Sequence, residues 1–174
     1  MALIKTINGL SPKFGENCFL AENATIIGDV NIGNDCSIWF NVVIRGDVNS
    51  INIGNKVNIQ DGCVLHCLYK RSVIDIGDNV TVGHNAIIHG ARINNNVLIG
   101  MGSIIMDNSV IGESSIIAAG SLILENSIIE PFSVYGGVPA KKIKEVDPET
   151  LKRLNNRTAE NYLLYASWYK EKKE

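Results

Sequence analysis

Large apolar residues recur at every sixth position along most of the 174-residue chain. The period is interrupted by a three-residue insertion after Ile44, by a longer insertion around residues 68–75, and by one missing residue after Ile88. With these interruptions counted, the recurring residues, which we call the core positions, are Phe14, Leu20, Ile26, Ile32, Ile38, Ile44, Ile53, Ile59, Leu65, Ile76, Val82, Ile88, Ile93, Ile99, Ile105, Ile111, Ile117, Ile123 and Ile129. A period of six fits neither an amphipathic helix, which turns every ~3.6 residues, nor the alternation of a simple strand.

The residues around each core position favour short strands joined by tight turns. The residue two places earlier is usually small or β-branched, as at Ala24, Cys36 and Val57, and Gly often follows the core position directly. Asn and Gly at many turn positions supply the left-handed backbone conformations that sharp corners need. This hexapeptide repeat is a known signature of a parallel β-helix, here with three short strands in each coil. An Ile-rich β-sandwich with accidental spacing is the weaker alternative.

The pattern changes from Pro139 onward. Asp147-Pro148-Glu149 is typical of a helix start, with an N-cap, a proline at the first helical position and an early acidic residue. The apolar stripe that follows, at spacings of three and four, consists of Leu151, Leu154, Thr158, Tyr162, Tyr165 and Tyr169. We therefore predict an all-β fold in which residues 1–140 form a parallel β-helix. Residues 141–174 are predicted to carry a C-terminal α-helix packed on it, within one structural domain.

Composition and charge describe an ordinary soluble protein. Hydrophobic residues make up 45% and charged residues 20% of the chain, and the formal net charge is −2. This charge gives no reason to expect a nucleic-acid or membrane-surface partner. No apolar run approaches the ~20 residues that span a bilayer, and residues 1–10 lack the features of a signal peptide. The sequence therefore favours a cytoplasmic protein.

The four cysteines do not form a recognisable metal or redox motif. Cys18, Cys36, Cys63 and Cys67 include no CxxC pair and no zinc-finger spacing. In a cytosolic protein such residues are more often small buried apolar side chains than members of disulfides. We expect burial without disulfide bonds.

Counting hexads assigns the histidines to faces of the predicted prism. If Ile32, Ile53, Ile76 and Ile93 begin face one of their coils, the next two core positions of each coil lie on faces two and three. Arg45, His66 and His89 each directly follow a core position of face three, so they stack in one outward-facing column. Neighbouring coils are about 4.8 Å apart, as neighbouring strands are, so His66 and His89 are close enough to share a metal ion.

A second column lies on face two. Asp61 and His84 each follow a core position of that face by two residues, and Gln60 lies beside Asp61. His84 is therefore on a different face from the other two histidines. A neighbouring copy of the chain could present its face two to this copy's face three, and a three-fold axis would close such contacts into a trimer. Arg45 of one chain would then face Asp61 of the next.

Three imidazoles that leave one coordination position open suit a catalytic zinc ion rather than a closed structural site. Iron and cobalt, as Fe2+ or Co2+, also accept these ligands. A single histidine is usually a solvated or hydrogen-bonded side chain. The convergence of the chain's full complement of His66, His84 and His89 at one interface is far less ordinary. The sequence thus predicts a metal site between subunits.

Four segments make the chain resemble the gamma-class carbonic anhydrase family. They are Ile44-Arg45-Gly46-Asp47, Asn58-Ile59-Gln60-Asp61-Gly62, Leu65-His66, and the stretch from Val82 through His84 and His89 to Gly90. The closing motif Gly136-Gly137-Val138-Pro139-Ala140-Lys141 is shared with hexapeptide-repeat proteins in general. The repeat alone is weak functional evidence, because many acyltransferases use it. The Arg-Gly-Asp segment, the Asn-x-Gln-Asp segment and the three histidines together are much more specific.

The resemblance implies a left-handed β-helix assembled as a homotrimer with interfacial zinc sites. Each site would take His66 and His89 from one chain and His84 from the next. The implied activity is the reversible hydration of CO2 to bicarbonate, in which zinc lowers the pKa of a bound water to near ~7 and the resulting hydroxide attacks CO2.

The resemblance also implies roles for further residues. Arg45 and Asp47 would organise the site and the interface, and Asp61 would be the charged partner of arginine. Gln60 would lie near the metal-bound water, and Asn58 would lie close to the site. Tyr162 matches an aromatic hydroxyl that some relatives bring in from the terminal helix, although membership of the helix stripe explains it equally well.

The chain departs from the family's prototype in its insertions. Val48-Asn49-Ser50 and the segment Leu68 to Ser72 contain no carboxylate, whereas the prototype relays protons through glutamates on an acidic loop. Two alternative functions also stay open. One is a hexapeptide acyl- or acetyltransferase or coenzyme A thioesterase that uses one of the histidines. The other is a metal-stabilised trimeric scaffold with little activity.

Overall fold

The computed structural model describes residues 1–169, and the side chains of all of these except 148, 150–157 and 159. In chain order the elements are β1 (Leu3–Lys5), β2 (Lys13–Phe14), β3 (Phe19–Leu20), β4 (Thr25–Ile32), β5 (Ser37–Ile38), β6 (Val43–Ile53), β7 (Asn58–Ile59), β8 (Val64–His66), β9 (Ile74–Ile76), β10 (Thr81–Val82), β11 (Ile87–His89), β12 (Arg92–Ile93), β13 (Leu98–Ile99), β14 (Ile104–Ile105), β15 (Val110–Ile111), β16 (Ile116–Ile117), β17 (Leu122–Ile123), β18 (Ile128–Ile129), β19 (Ser133–Gly137), β20 (Ala140–Glu145) and α1 (Pro148–Trp168).

The strands form a parallel β-solenoid of about seven turns, as the repeat predicts. On face one Ile53 pairs with Ile76 and Ile76 with Ile93. On face two the pairs run from Ile38 through Ile59 and Val82 to Ile99, and on face three from Ile44 through Leu65 and Ile88 to Ile105. The three faces assigned by counting are therefore confirmed. Faces one and three belong to one sheet because β4 and β6 run round the corner between them, and face two is the second sheet.

The core is a stack of aliphatic side chains along the solenoid axis. Every core position from Ile26 to Ile129 is buried, whereas Phe14 and Leu20, in the first coil, are only partly buried. The small residues two places earlier, such as Ala24 and Val57, are buried as well. One large and one small side chain per strand therefore fill the interior.

Several corners of the coil are made by asparagines in the left-handed backbone region. Asn41, Asn85 and Asn96, for example, have φ values of 59°, 57° and 59°. Asn tolerates this conformation because its short polar side chain can hydrogen-bond locally. The turn chemistry expected from the sequence is thus confirmed at these corners.

The first insertion extends a strand instead of forming a loop. Residues 48–50 continue β6 as extended chain, and the register against β4 shifts between Gly28 and Val30 to absorb the extra length. Strand pairing therefore accommodates these residues without a projecting loop. The second insertion is a loop, closed by a hydrogen bond from the Arg71 amide to the Leu68 carbonyl at 3.0 Å. Both insertions leave the flanking core positions in register.

The C-terminal segment begins with a strand and continues as a helix. β20 pairs antiparallel with β19, so the parallel pattern ends before residue 145. α1 begins at Pro148, as the Asp-Pro-Glu signal predicts, and contacts β5 and β10 of face two. Tyr169 and Tyr162 pack on Trp39, with ring centroids 5.8 Å and 5.4 Å apart. The predicted stripe residues Leu151 and Leu154 lie outside the described side chains.

The cysteines behave largely as expected. Cys36, Cys63 and Cys67 are buried, and all four cysteines are free. Cys18 is the exception in burial, because it lies in the first coil, where it is only half-buried. In the part of the chain that the structure describes, no helix is long and apolar enough to cross a bilayer.

Candidate metal centre

The face-three column predicted from the hexads is present in the structure. Arg45 of β6 pairs in register with His66 of β8, which pairs with His89 of β11. The two imidazole centroids lie 5.4 Å apart, with the rings inclined at 57°. Parallel pairing in register causes this arrangement, because equivalent residues of successive coils stack on one another. Two imidazole rings are thus direct neighbours on the outside of the prism.

His84 lies on face two, as predicted, and stacks on Asp61. The Nδ1 atom of His84 is 2.9 Å from Oδ2 of Asp61. Among the described residues of a single chain, no group of three His, Cys, Asp or Glu side chains is arranged to hold a metal ion. One chain therefore brings together two of the predicted ligands and holds the third on a different face.

Asp47 links the arginine and the histidine of the face-three column. Its Oδ2 atom accepts a hydrogen bond from Arg45 at 2.6 Å, and its Oδ1 atom lies 3.2 Å from Nε2 of His66. Burial raises the pKa of the Asp47 carboxyl, but the Arg45 guanidinium outweighs this effect and holds the pKa below its usual range. Within the chain, the arginine predicted to meet Asp61 of another subunit is thus paired with Asp47.

The surroundings of His66 favour its neutral form. Burial and the neighbouring Arg45 cation lower the pKa of His66, and together they outweigh the opposing effect of Asp47. A neutral imidazole has a free lone pair, which metal coordination requires. The surroundings of His66 therefore favour the neutral form that a metal ligand requires.

Gln60 and Asn58 form a buried amide pair on face two. Gln60 Nε2 donates to Asn58 Oδ1 at 3.1 Å, and Asn58 Nδ2 donates to Thr81 Oγ1 at 2.9 Å. Both side chains are buried. The pair is therefore held in a fixed orientation, with part of the Gln60 amide left for another partner.

Tyr162 lies on the same face as Asp61. The two residues line a cavity of about 290 Å³ together with aromatic side chains of face two and α1. Burial, followed by the negative charge of Asp61, raises the pKa of Tyr162 to about 12. Its hydroxyl is therefore protonated at neutral pH, beside the column that holds His84.

Two polar residues at the centre were missed by the sequence argument. Oδ2 of Asp107 lies 2.7 Å from Nδ1 of His89, and its Oδ1 atom accepts a hydrogen bond from the Ser72 hydroxyl at 2.5 Å. Asp107 follows the face-three core position Ile105 by two residues, one coil beyond His89. That placement was available from the hexad count. The approach of Ser72 was not, because it depends on the path of the 68–72 loop.

The donor set fits a zinc ion. Neutral histidine nitrogens are common zinc ligands, and a histidine that binds zinc usually gives its other ring nitrogen to a carboxylate or carbonyl. His84 and His89 both have their Nδ1 atoms against carboxylates, which leaves Nε2 for a metal. The chemistry of these two histidines thus fits the predicted metal.

Comparison with known proteins identifies a family. The family described as "Bacterial transferase hexapeptide (six repeats)" matches residues 11–46 and 90–125. A protein named "Carbonic anhydrase" from Geobacillus kaustophilus is 47% identical over 97% of this chain and 91% of its own length. "Gamma carbonic anhydrase 2, mitochondrial" from Arabidopsis thaliana is 40% identical over 88% of this chain and 56% of its own length.

A solved structure has the same fold over nearly the whole chain. A crystal structure described as a hexapeptide transferase family protein from Anaplasma phagocytophilum superposes with a TM-score of 0.89 at 41% identity. It covers 96% of this chain and 98% of its own. With identity and coverage of this size among carbonic anhydrases, and with the hexad columns in place, the chain belongs to the gamma-class carbonic anhydrase family of hexapeptide-repeat proteins.

Proposed function

We propose that the protein is a zinc-dependent carbonic anhydrase that hydrates CO2 reversibly at the interfaces of a homotrimer. The observation that carries the proposal is the pair formed by His66 and His89, with ring centroids 5.4 Å apart on face three, while His84 lies on face two. A zinc site with three histidines then needs His84 from a second copy. The carbonic anhydrases among the relatives support the reaction. We expect the enzyme in the cytoplasm, with CO2 and bicarbonate as its small-molecule substrates.

Exposed apolar residues beside the histidines support the trimer. Val64, Ile87 and Ile104 form a column on face three, directly next to His66 and His89, and their exposed fractions are 37%, 38% and 40%. Such a contiguous apolar strip is typical of an interaction surface. A second copy that covers it would bring its own face two, and hence His84, to the metal centre. The association of subunits that buries this strip would then also complete the metal site.

Each residue of the proposed metal centre has its own role in the reaction. A bound zinc ion supplies Lewis acidity, which lowers the pKa of a water ligand to about 7. Neutral His66 leaves the charge of the metal undiminished, and burial together with Arg45 maintains that neutral state. Asp47 fixes Arg45 at the edge of the column. Gln60, oriented by Asn58, would hydrogen-bond CO2 or bicarbonate through the rest of its amide.

The first test is metal content followed by CO2-hydration kinetics on zinc-loaded protein and, separately, iron-loaded protein. The wild-type protein is expected to hold one zinc per chain and to hydrate CO2. His66→Ala and His84→Ala are both expected to lose the metal, although these residues lie on different faces of one chain. Full metal occupancy in His84→Ala trimers would rule out the interfacial site.

A mixing experiment tests whether ligands come from two chains. His84→Ala chains keep His66 and His89, whereas His66→Ala chains keep His84. Unfolding and refolding the two variants together in equal amounts should make about a quarter of the interfaces in a closed ring complete. Zinc content and activity should recover to about that fraction. Verified mixed trimers without any recovery would contradict the two-chain site.

An acyltransferase or thioesterase remains the second candidate. A largely apolar groove of about 370 Å³ between face two and α1 adjoins His84 and includes Leu98, Met101 and Ile116. The hexapeptide transferase name of the solved relative points the same way. One tightly bound zinc per chain would argue against this function. Zinc binding without CO2 hydration or ester hydrolysis would instead indicate a metal-stabilised scaffold.

A further inference from the structure

A buried hydrogen-bond chain ends on one of the proposed ligands. Ser72 Oγ donates to Oδ1 of Asp107 at 2.5 Å, and Oδ2 of Asp107 lies 2.7 Å from Nδ1 of His89. The side chain of Asp107 is only 13% exposed, compared with 41% for Asp61 beside His84. The contact to His89 is therefore the more shielded of the two carboxylate–histidine pairs made through Nδ1, and its geometry depends less on solvent.

The direction of these hydrogen bonds follows from the donors and acceptors around Ser72 and Asp107. The Ser72 hydroxyl accepts from the Leu68 amide, so its own proton goes to Oδ1 of Asp107, and Oδ2 of the carboxylate is left to accept from His89. An ionised carboxylate can only accept hydrogen bonds. Nδ1 of His89 must therefore carry the proton, and in the neutral ring the lone pair is on Nε2.

The backbone of Gly90 packs directly against this pair of side chains. A Cβ atom on Gly90 would lie 2.1 Å from Ser72 Oγ and 2.3 Å from Asp107 Oδ1. Ser72 is itself fixed in the 68–72 loop, where its hydroxyl accepts from the Leu68 amide at 3.0 Å and its carbonyl accepts from Asn49 at 2.6 Å. The two insertions thus cooperate to place one hydroxyl behind the histidine.

We propose that Asp107, oriented by Ser72, is a positioning residue that fixes His89 as the Nδ1–H tautomer and directs its Nε2 lone pair into the face-three column. The proposal deepens the proposed function, since it assigns a purpose to the second insertion at the zinc site. A carboxylate behind a ligating histidine fixes the ring and increases its basicity, and the loss of such a partner typically lowers metal affinity on the order of 10–100-fold.

The first experiment reads the tautomer in metal-free wild-type protein. Protein labelled with 15N at histidine is studied near pH 8 by long-range proton–nitrogen correlation, and the His89 signals are assigned by their loss in His89→Gln. The expected pattern is a protonated Nδ1 and an unprotonated Nε2. A His89 ring protonated at Nε2 would overturn the proposal. This result is independent of metal, so it stands even if zinc binding or CO2 hydration fails.

The second experiment measures zinc affinity by chelator competition. Asp107→Asn is expected to weaken zinc binding at least about tenfold, and Ser72→Ala to weaken it by a smaller factor. The matched control is Asp78→Asn, because Asp78 also follows a core position by two residues, and coils on face one already have Asn34, Asn55 and Asn95 there. Asp78→Asn should bind zinc like wild type. Folded, trimeric Asp107→Asn with wild-type affinity would contradict the proposal.

Discussion

Oδ2 of Asp61 lies 2.9 Å from Nδ1 of His84, one coil apart on the same face. Asp61 is also the residue that we expect to meet Arg45 of a neighbouring subunit. Within the chain, Arg45 is bound to Asp47 instead. Trimer formation would therefore place Asp61 between His84 of its own chain and Arg45 of another, so that one carboxylate would orient a ligand and fix the subunit register.

Removal of Arg45 is expected to weaken the trimer. Arg45→Ala takes away the cation that we place opposite Asp61 and leaves Asp47 without its strongest partner. Sedimentation velocity over a concentration series should show dissociation at protein concentrations where the wild type stays trimeric. Arg92→Ala is the control, because Arg92 is 62% exposed and pairs only loosely with Asp75 at 3.6 Å. An identical concentration dependence for the two variants would contradict an interfacial role for Arg45.

Alanine substitutions at the inward and outward positions of β18 should differ sharply in how much they lower the free energy of unfolding. Ile129 is 4% exposed and its neighbour Ile128 is 77% exposed. Ile129→Ala leaves a cavity in the aliphatic stack and should cost about 2–4 kcal/mol, whereas Ile128→Ala should cost less than about 0.5 kcal/mol. Urea unfolding monitored by circular dichroism measures both values. Equal losses would mean that the last coil is not packed as described.

Alkaline pH should destabilise the fold partly through Tyr162. Burial is the main cause of the raised pKa of this phenol, about 12 in the folded protein against 10.0 for an ordinary tyrosine. A raised folded-state pKa contributes stability that is complete below the unfolded value and is lost as pH rises from there through the folded value. The free energy of unfolding should therefore fall between pH 10 and about pH 12, the window between these two values.

Tyr162→Phe separates this contribution from other alkaline effects. The phenylalanine ring keeps the edge contact with Trp39 but cannot ionise. Urea unfolding at the low and high ends of this pH window measures the fall in unfolding free energy. The fall should be smaller for Tyr162→Phe than for the wild-type protein. Equal drops would place the phenol in solvent rather than against face two.

Gly90 should tolerate alanine less well than a glycine of similar backbone conformation. Gly90 has φ of 62° and Gly120 has φ of 67°, so alanine meets a similar backbone penalty at both, roughly 1–2 kcal/mol. At Gly90 the new Cβ also collides with Ser72 and Asp107, whereas at Gly120 nothing lies within 4 Å. Gly90→Ala should therefore unfold at lower urea than Gly120→Ala. Equal urea midpoints for the two variants would mean that the Ser72–Asp107 contact adjusts to the new Cβ atom without a loss of stability.

Much of the candidate site was predictable because a solenoid converts spacing into position. Once six residues make one side of a coil, His66 and His89 must stack on face three, and Asp61 and His84 must stack on face two. Both columns are present. Asp107 obeys the same count, but a carboxylate among many surface carboxylates gave no signal by itself. Its importance became visible only through its contact with His89.

The sequence by itself determined the period, the faces, the core and the start of the helix, because each follows from local spacing and from the conformational preferences of Gly, Asn and Pro. The tertiary structure decided how the insertions are absorbed. Residues 48–50 extend a strand rather than form a loop, since strand pairing satisfies their backbone hydrogen bonds. The 68–72 loop folds back to place Ser72 behind Asp107. Such contacts depend on the path of irregular backbone, which no repeat encodes.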